Sequence, residues 1–266
     1  MARLLSHASN VCLQRSFHFP RWKRVGKVDM RATLEVVCWL LPPGRLKNAL
    51  LRRFGHDVSA TARIWPSIVL GVEHFEIGAD VLISPGNVFK NLALVRLDEG
   101  VIIGSWNWIS AAPEFQRVNP EAGTLHMGYG AAMTSRHYLD CSGTIIMKRH
   151  ARIGGGRAYL QTHEADLENF RQTVGRIVIG DHALVATCAV MLKGAHLPDR
   201  SLLAASSTML ASSADSQQSG LYAGSPARWR RELDGEYFRT TDHMITEFVV
   251  DGPIGLLRDE PGTNFS

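Results

Sequence analysis

Among eleven histidines in 266 residues, one stands where an imidazole can be put to chemical use. His163 lies in Thr162-His163-Glu164-Ala165-Asp166, just where a regular pattern stops and an irregular segment begins. A neutral imidazole, with an ordinary pKa of about 6.5, can take a proton from a hydroxyl at neutral pH and hand it on. Such a base is steadied by a carboxylate on its other ring nitrogen. The candidates are Asp166 or Glu164 in the same segment, and Asp140 in Arg136-His137-Tyr138-Leu139-Asp140. The sequence leaves Asp140 and Asp166 equally placed. Other chemistries lack their residues. Cys12, Cys38, Cys141 and Cys188 form no CxxC pair and no Cys/His cluster of zinc spacing, which predicts reduced thiols in a reducing, cytoplasmic setting. Gly154-Gly155-Gly156 is not part of a GxxxxGK[ST] phosphate loop.

The elements that must position these groups show in a six-residue repeat. Ile179, Val185, Met191, Leu197, Leu203 and Met209 are large and apolar, and four places after each comes Ala183, Ala189, Ala195, Ser201, Ser207 or Ser213. Ile77, Ile83, Phe89 and Val95 keep the same spacing, the phase slips by two, and Leu97, Ile103 and Ile109 continue it. Neither a helical period nor simple alternation produces this. A short strand and a turn per step does: the apolar residue points inward, the small one fits the bend, and three steps close a triangular coil. The reading is an all-β parallel β-helix over residues 56–231, with insertions at 110–137 and 164–176 where the repeat fails. Long interruptions in a regular scaffold are where function tends to sit.

Before the repeat, residues 30–54 read as helix broken at Pro42-Pro43-Gly44 and closed by Gly55. Leu34, Val37, Cys38 and Leu41 form the apolar spacing, and Lys47, Arg52 and Arg53 fall on other faces. Residues 1–55 hold eleven Lys/Arg against Asp29 and Glu35, a local balance of +9, while the remainder carries −5. The basic segment is a solvated extension, an arm for an anionic surface such as a peripheral membrane contact, or a targeting segment. It has no apolar core with a cleavage site, so secretion is disfavoured. An acidic body without a basic, aromatic-interleaved stripe does not read as a nucleic-acid binder. Residues 232–266 form an irregular C-terminal tail.

The repeat, the Thr162–Asp166 segment and the closing Ala223-Gly224-Ser225-Pro226-Ala227-Arg228 together resemble the hexapeptide-repeat acyltransferases, the group with galactoside, maltose, xenobiotic and exopolysaccharide-type O-acetyltransferases. The resemblance is strong over 137–231 and fair over 58–110. It implies a left-handed coil, a homotrimer with sites between subunits, and acetyl-CoA as donor. It implies no metal and a role in polysaccharide biosynthesis, with a sugar or glycan hydroxyl as acceptor. It gives His163 the role of general base, with Asp140 or Asp166 orienting it and no acyl-enzyme. A backbone N–H from an adjacent coil would hold the oxyanion.

Small side chains suit a pantetheine chain, so Ala186, Ala204, Ala205 and Ser206 are expected to line it, with Arg228, helped by Arg230 and Arg231, meeting the nucleotide end. This sequence departs from the family pattern at Met209-Leu210-Ala211-Ser212, where the family has a lysine. Two other readings stand beside the enzyme. One is a non-catalytic trimeric scaffold. The other is a zinc carbonic-anhydrase-like β-helix using His137, His150 and His163, whose thirteen-residue spacing does not match a coil of about eighteen. Trp106 and Trp108 flank an inward Asn107 and read as an apolar contact between subunits or a sugar platform.

Overall fold

The computed structural model describes residues 30–214 and 217–240. The basic stretch 1–29 and most of the C-terminal tail lie outside the described residues. Strands of two to five residues stack into three parallel sheets. The first sheet runs from Asp57–Val58 through Thr144–Met147 to His196–Leu197. The second begins at Arg63–Ile64, and the third runs from Ile68–Leu70 to Thr208–Met209. The chain visits the sheets in turn, so each coil contributes one strand to each face of a triangular prism: a parallel β-helix. Among the described residues no helix is long and apolar enough to cross a membrane.

The six-step residues explain the prism. Ile179, Val185, Met191, Leu197, Leu203 and Met209 are all fully buried, and the small residues four places on are buried at the corners. The phase slip at Val95–Leu97 also has a cause. First-sheet strands such as Leu94–Leu97 are four residues long and point two side chains inward, here Val95 and Leu97. The expected insertion at 110–137 contains the strands Thr124–Met127 and Ala132–Ser135, so the irregular part is the shorter stretch 111–123. Met127, Met133, Leu139 and Ile145 keep the six-residue step through it, all buried, and this is the signal that the sequence reading passed over. The segment after His163 is a two-stranded antiparallel hairpin, His163–Asp166 with Arg171–Val174.

Helices α1 (Met30–Trp39) and α2 (Arg45–Phe54) cover the first coil. Gly55 closes α2 in the left-handed region, as expected of a residue with no Cβ. Two expectations differ in detail. Of the residues expected on the apolar face of α1, Cys38 is buried but Leu34 and Val37 are exposed, and Trp39 joins Cys38 in the buried face. Lys47 is 1% exposed rather than on an outer face. Its ammonium donates to the carbonyls of Trp39 (2.7 Å), Leu41 (2.9 Å) and Ile64 (3.0 Å), tying the end of α1 to the first coil. Burial draws its pKa down to about 8.

A polar ladder runs inside the corner between the second and third sheets. Asn107 donates from its amide nitrogen to the Asn87 side-chain oxygen (3.1 Å), and its own side-chain oxygen accepts from the His137 backbone N–H (2.9 Å). The ring of His137 continues the ladder: Nδ1 accepts from the Ala158 N–H (3.1 Å) and Nε2 meets the Thr134 hydroxyl (2.9 Å). These bonds fix a neutral tautomer, and burial pulls the His137 pKa down to about 4. The unfolded chain therefore binds a proton that the folded chain refuses, so stability falls as pH drops from about 6.5 towards 4. Denaturant unfolding at neutral pH and near pH 4.5 should show His137 contributing a loss of roughly 2–3 kcal/mol. His137→Asn, which extends the asparagine ladder, should lack that share of the loss; equal pH slopes for both proteins would contradict the assignment.

Candidate active site

Both interruptions of the repeat leave the prism at the same corner, between the third and first sheets. The stretch 111–123 follows the strand Trp108–Ser110, and the hairpin follows Tyr159–Gln161. The strand Tyr138–Asp140 lies between those two in register, with Asp140 paired to Ser110 on one side and Gln161 on the other. Three successive coils thus meet where Asp140 points.

The register brings Asp140 and His163 together. Nδ1 of His163 lies 2.6 Å from an Asp140 carboxylate oxygen, with the ring about one-third exposed and the carboxylate 8% exposed. The carboxylate is held from several directions. Its second oxygen accepts from the Ser142 N–H (3.1 Å) and hydroxyl (2.5 Å), while the Thr162 N–H donates to the first (3.1 Å). The Thr162 hydroxyl, fully buried, donates to the Asp140 backbone carbonyl (2.8 Å) and accepts from the Gly143 N–H (2.7 Å). Ser142 in turn accepts from Ala112 N–H (3.0 Å), which ties in the third coil. A carboxylate so fixed accepts a hydrogen bond from Nδ1–H and leaves Nε2 as the ring's acceptor. An imidazole in that state can accept a proton from a neighbouring hydroxyl.

Phe115, from the first interruption, packs its ring 5.8 Å from the His163 ring. On the other side Glu164 forms an ion pair with Lys193 (2.7 Å), which also donates to the Thr173 hydroxyl (2.7 Å) and pins the base of the hairpin. Asp166 faces away from His163. It is bound by the Asn169 amide (2.9 Å) and then Arg171 Nε (2.8 Å), which lower its pKa in that order. Ser142 and Phe115 are the residues at this corner that sequence reasoning did not single out, and Thr162 was named there only as part of its motif. Their roles depend on which coils are neighbours, which spacing along the chain does not give.

The small residues occupy a different edge. Ala186 and Ala204–Ser206 lie at the corner between the second and third sheets, one coil apart, since Ser206 N–H donates to Thr187 O (3.0 Å). Arg228 is exposed on the closing hairpin, paired with Ala223, whose strand neighbours Leu202–Leu203. The strip is therefore continuous from Ala186 to Arg228. It stands across the third sheet from His163 within one chain. His137, His150 and His163 fall at three different corners of the triangle, so one chain does not bring them to a common metal. Cys141 is buried with its thiol pKa pushed up by burial and then by Asp140, and Cys188 is exposed.

No protein-family model matches the chain, and no curated protein matches it. Among solved structures it is similar to the polysialic acid O-acetyltransferase OatWY, at 15% identity and a TM-score of 0.47, over 77% of this chain and 92% of that one. It is also similar to a mutant of AntD, an N-acyltransferase from Bacillus cereus in complex with dTDP and coenzyme A, at 13% identity and a TM-score of 0.34, over 72% of this chain and 91% of that one. Those activities and ligands belong to those proteins.

The pairing of Asp140 with Nδ1 has a spectroscopic consequence. Nitrogen NMR of the neutral imidazole should show His163 almost wholly as the Nδ1–H tautomer. Asp140→Asn should mix the two tautomers and destabilise the fold by about 1–3 kcal/mol through the Ser142 and Thr162 donors it weakens. An unchanged tautomer in the variant would separate His163 from Asp140.

Proposed function

We propose that this protein is an acyltransferase that moves an acetyl group from acetyl-CoA to a hydroxyl of a sugar or glycan. The observation that carries the reading is the His163–Asp140 pair, with Nε2 left as acceptor at a corner framed by two interruptions. In the reaction the acceptor oxygen attacks the thioester carbonyl carbon as its proton passes to Nε2 of His163. The carbon–sulfur bond then breaks, and the departing thiolate takes the proton from the same nitrogen. The products are the ester and the free thiol, and no covalent enzyme intermediate is needed. Asp140 orients the ring and steadies the positive charge it holds between the two steps. Asp166, bound to Arg171 and Asn169, shapes the hairpin in this account.

The strip Ala186, Ala204, Ala205 and Ser206 is where a pantetheine chain fits, because its side chains stop at a methyl or hydroxymethyl group. Arg228 closes the strip and supplies charge towards the nucleotide end. The strip and His163 stand on different edges of one prism, so a site using both draws them from two copies, and a homotrimer is the assembly we propose. The alternative is a non-catalytic scaffold.

Calorimetric titration of the full chain with acetyl-CoA separates the two. The proposal expects saturable binding near one site per subunit. His163→Ala should keep that binding and lose acetyl transfer by about a thousandfold. No donor binding, or full turnover by His163→Ala, would overturn the proposal.

A further inference from the structure

The corner that carries the small-residue strip also carries a column of unusual side chains. Residues two places before the third-sheet partners Trp108, Tyr138 and Tyr159 stack there: Trp106, Arg136 and Arg157. All three have positive φ (62°, 65° and 60°), a region that large side chains adopt at a cost in conformational energy. Arg136 and Arg157 are exposed on adjacent coils, and among the described residues neither guanidinium has an acidic partner. What sets these two apart is adjacency: the Arg157 backbone N–H donates to Arg136 O (3.2 Å), so two cationic side chains leave neighbouring coils side by side. Backbones about 4.8 Å apart put two like charges on one strip, an arrangement that an anion bound between them relieves.

Trp106 adds a second, independent feature. Its six-membered ring lies against Gly86, where a Cβ would come within 2.7 Å of the ring, and Gly86 also has a φ of 81°. The indole is 65% exposed. A ring seated flat on a glycine with its other face in water is a stacking platform.

We infer that this column binds the acceptor, and that the acceptor is an anionic sugar: its carboxylate or phosphate ester is gripped by Arg136 and Arg157 and its ring rests on Trp106. This rests on the acyltransferase reading above. The register puts Arg136 in the turn just before the strand of Asp140 and Arg157 in the coil of His163, so the arginine pair stands level with the imidazole along the prism axis. Copies related by rotation about an axis parallel to the prism keep that level. The small-residue strip runs from here towards Arg228, so a donor with its phosphates at Arg228 leaves its thioester end facing the arginine pair. Paired guanidinium forks match a planar carboxylate or a phosphate, which a lysine does not.

The test is binding of the full chain to an array of acidic oligosaccharides, some bearing carboxylates and some phosphate esters. Carboxyl-reduced and phosphatase-treated copies of the array report which anion is read. The wild type should bind acidic spots and lose them on the treated copies. Arg136→Gln with Arg157→Gln should weaken binding at least about tenfold, and the double Lys variant should fall between. Acetyl-CoA titration of the same proteins keeps the two claims apart. Donor binding without acidic-glycan binding, or glycan binding unchanged in both variants, overturns this inference alone. Loss of acetyl-CoA binding in the Gln variant assigns the arginines to the donor and also overturns it. Absence of donor binding in the wild type sinks the acyltransferase reading itself. If the Gln variant fails to fold, the Lys variant decides: unchanged affinity contradicts the fork.

Discussion

Coil-on-coil register is the constraint from which the rest follows. A strand of two to five residues has no partner within its own coil, so its backbone groups must bond to the coils on either side. Leu82 donates to Val101 O, Ile102 to Ala131 O, Ala132 to Ala151 O, and Arg152 to Ala183 O, each near 2.9 Å. Once that ladder is set, equivalent residues of successive coils stand beside one another. An inward apolar residue then meets an inward apolar residue of the next coil, as Ile77 meets Leu97 and Ile179 meets Leu197. A polar residue at an inner corner meets the same corner above and below, which is why Asn87, Asn107 and His137 bond to one another. The same stacking converts residues distant in sequence, such as Asp140 and His163, into neighbours.

The interruptions use this regularity without breaking it. Each departs at a corner and returns at that corner, so the coil on the far side resumes its register: Leu125 pairs with Val95 across the first interruption, and Ile145 with Ile177 across the second. The coil holding Asp140 is uninterrupted and lies between them. It acts as the fixed floor of the corner, with Phe115 on one side and the hairpin on the other. The Asp140 carboxylate is accordingly surrounded by short, local donors from Ser142 and Thr162, and its orientation is set before any ligand arrives.

Much of this was legible in the residues. The six-step apolar pattern from Ile179 onward has one compact solution, and the helical cover with its stop at Pro42-Pro43-Gly44 follows from local rules. The position of His163 at a break in the pattern also stood out. The partner of His163 did not, for a physical reason. Counting along the chain gives the phase of a residue within a coil but not which coil adjoins which, once an interruption of unknown length intervenes. Asp166 is near His163 in sequence yet points into its own hairpin. Asp140 is 23 residues away and in contact, because the pairing of Tyr138–Asp140 with Tyr159–Gln161 sets it there. Lys47 was misjudged for a related reason: helical spacing put it among other cations, whereas the carbonyls left open at the end of α1 drew it inward.

The central claim is that Asp140 and His163 act as one unit in acetyl transfer. A double-mutant cycle on kcat/KM with Asp140→Ala, His163→Ala and the pair tests it most directly. The account predicts that the double variant is no slower than His163→Ala alone, because the carboxylate works only through the ring. Losses that simply add would show two independent contributions and contradict it.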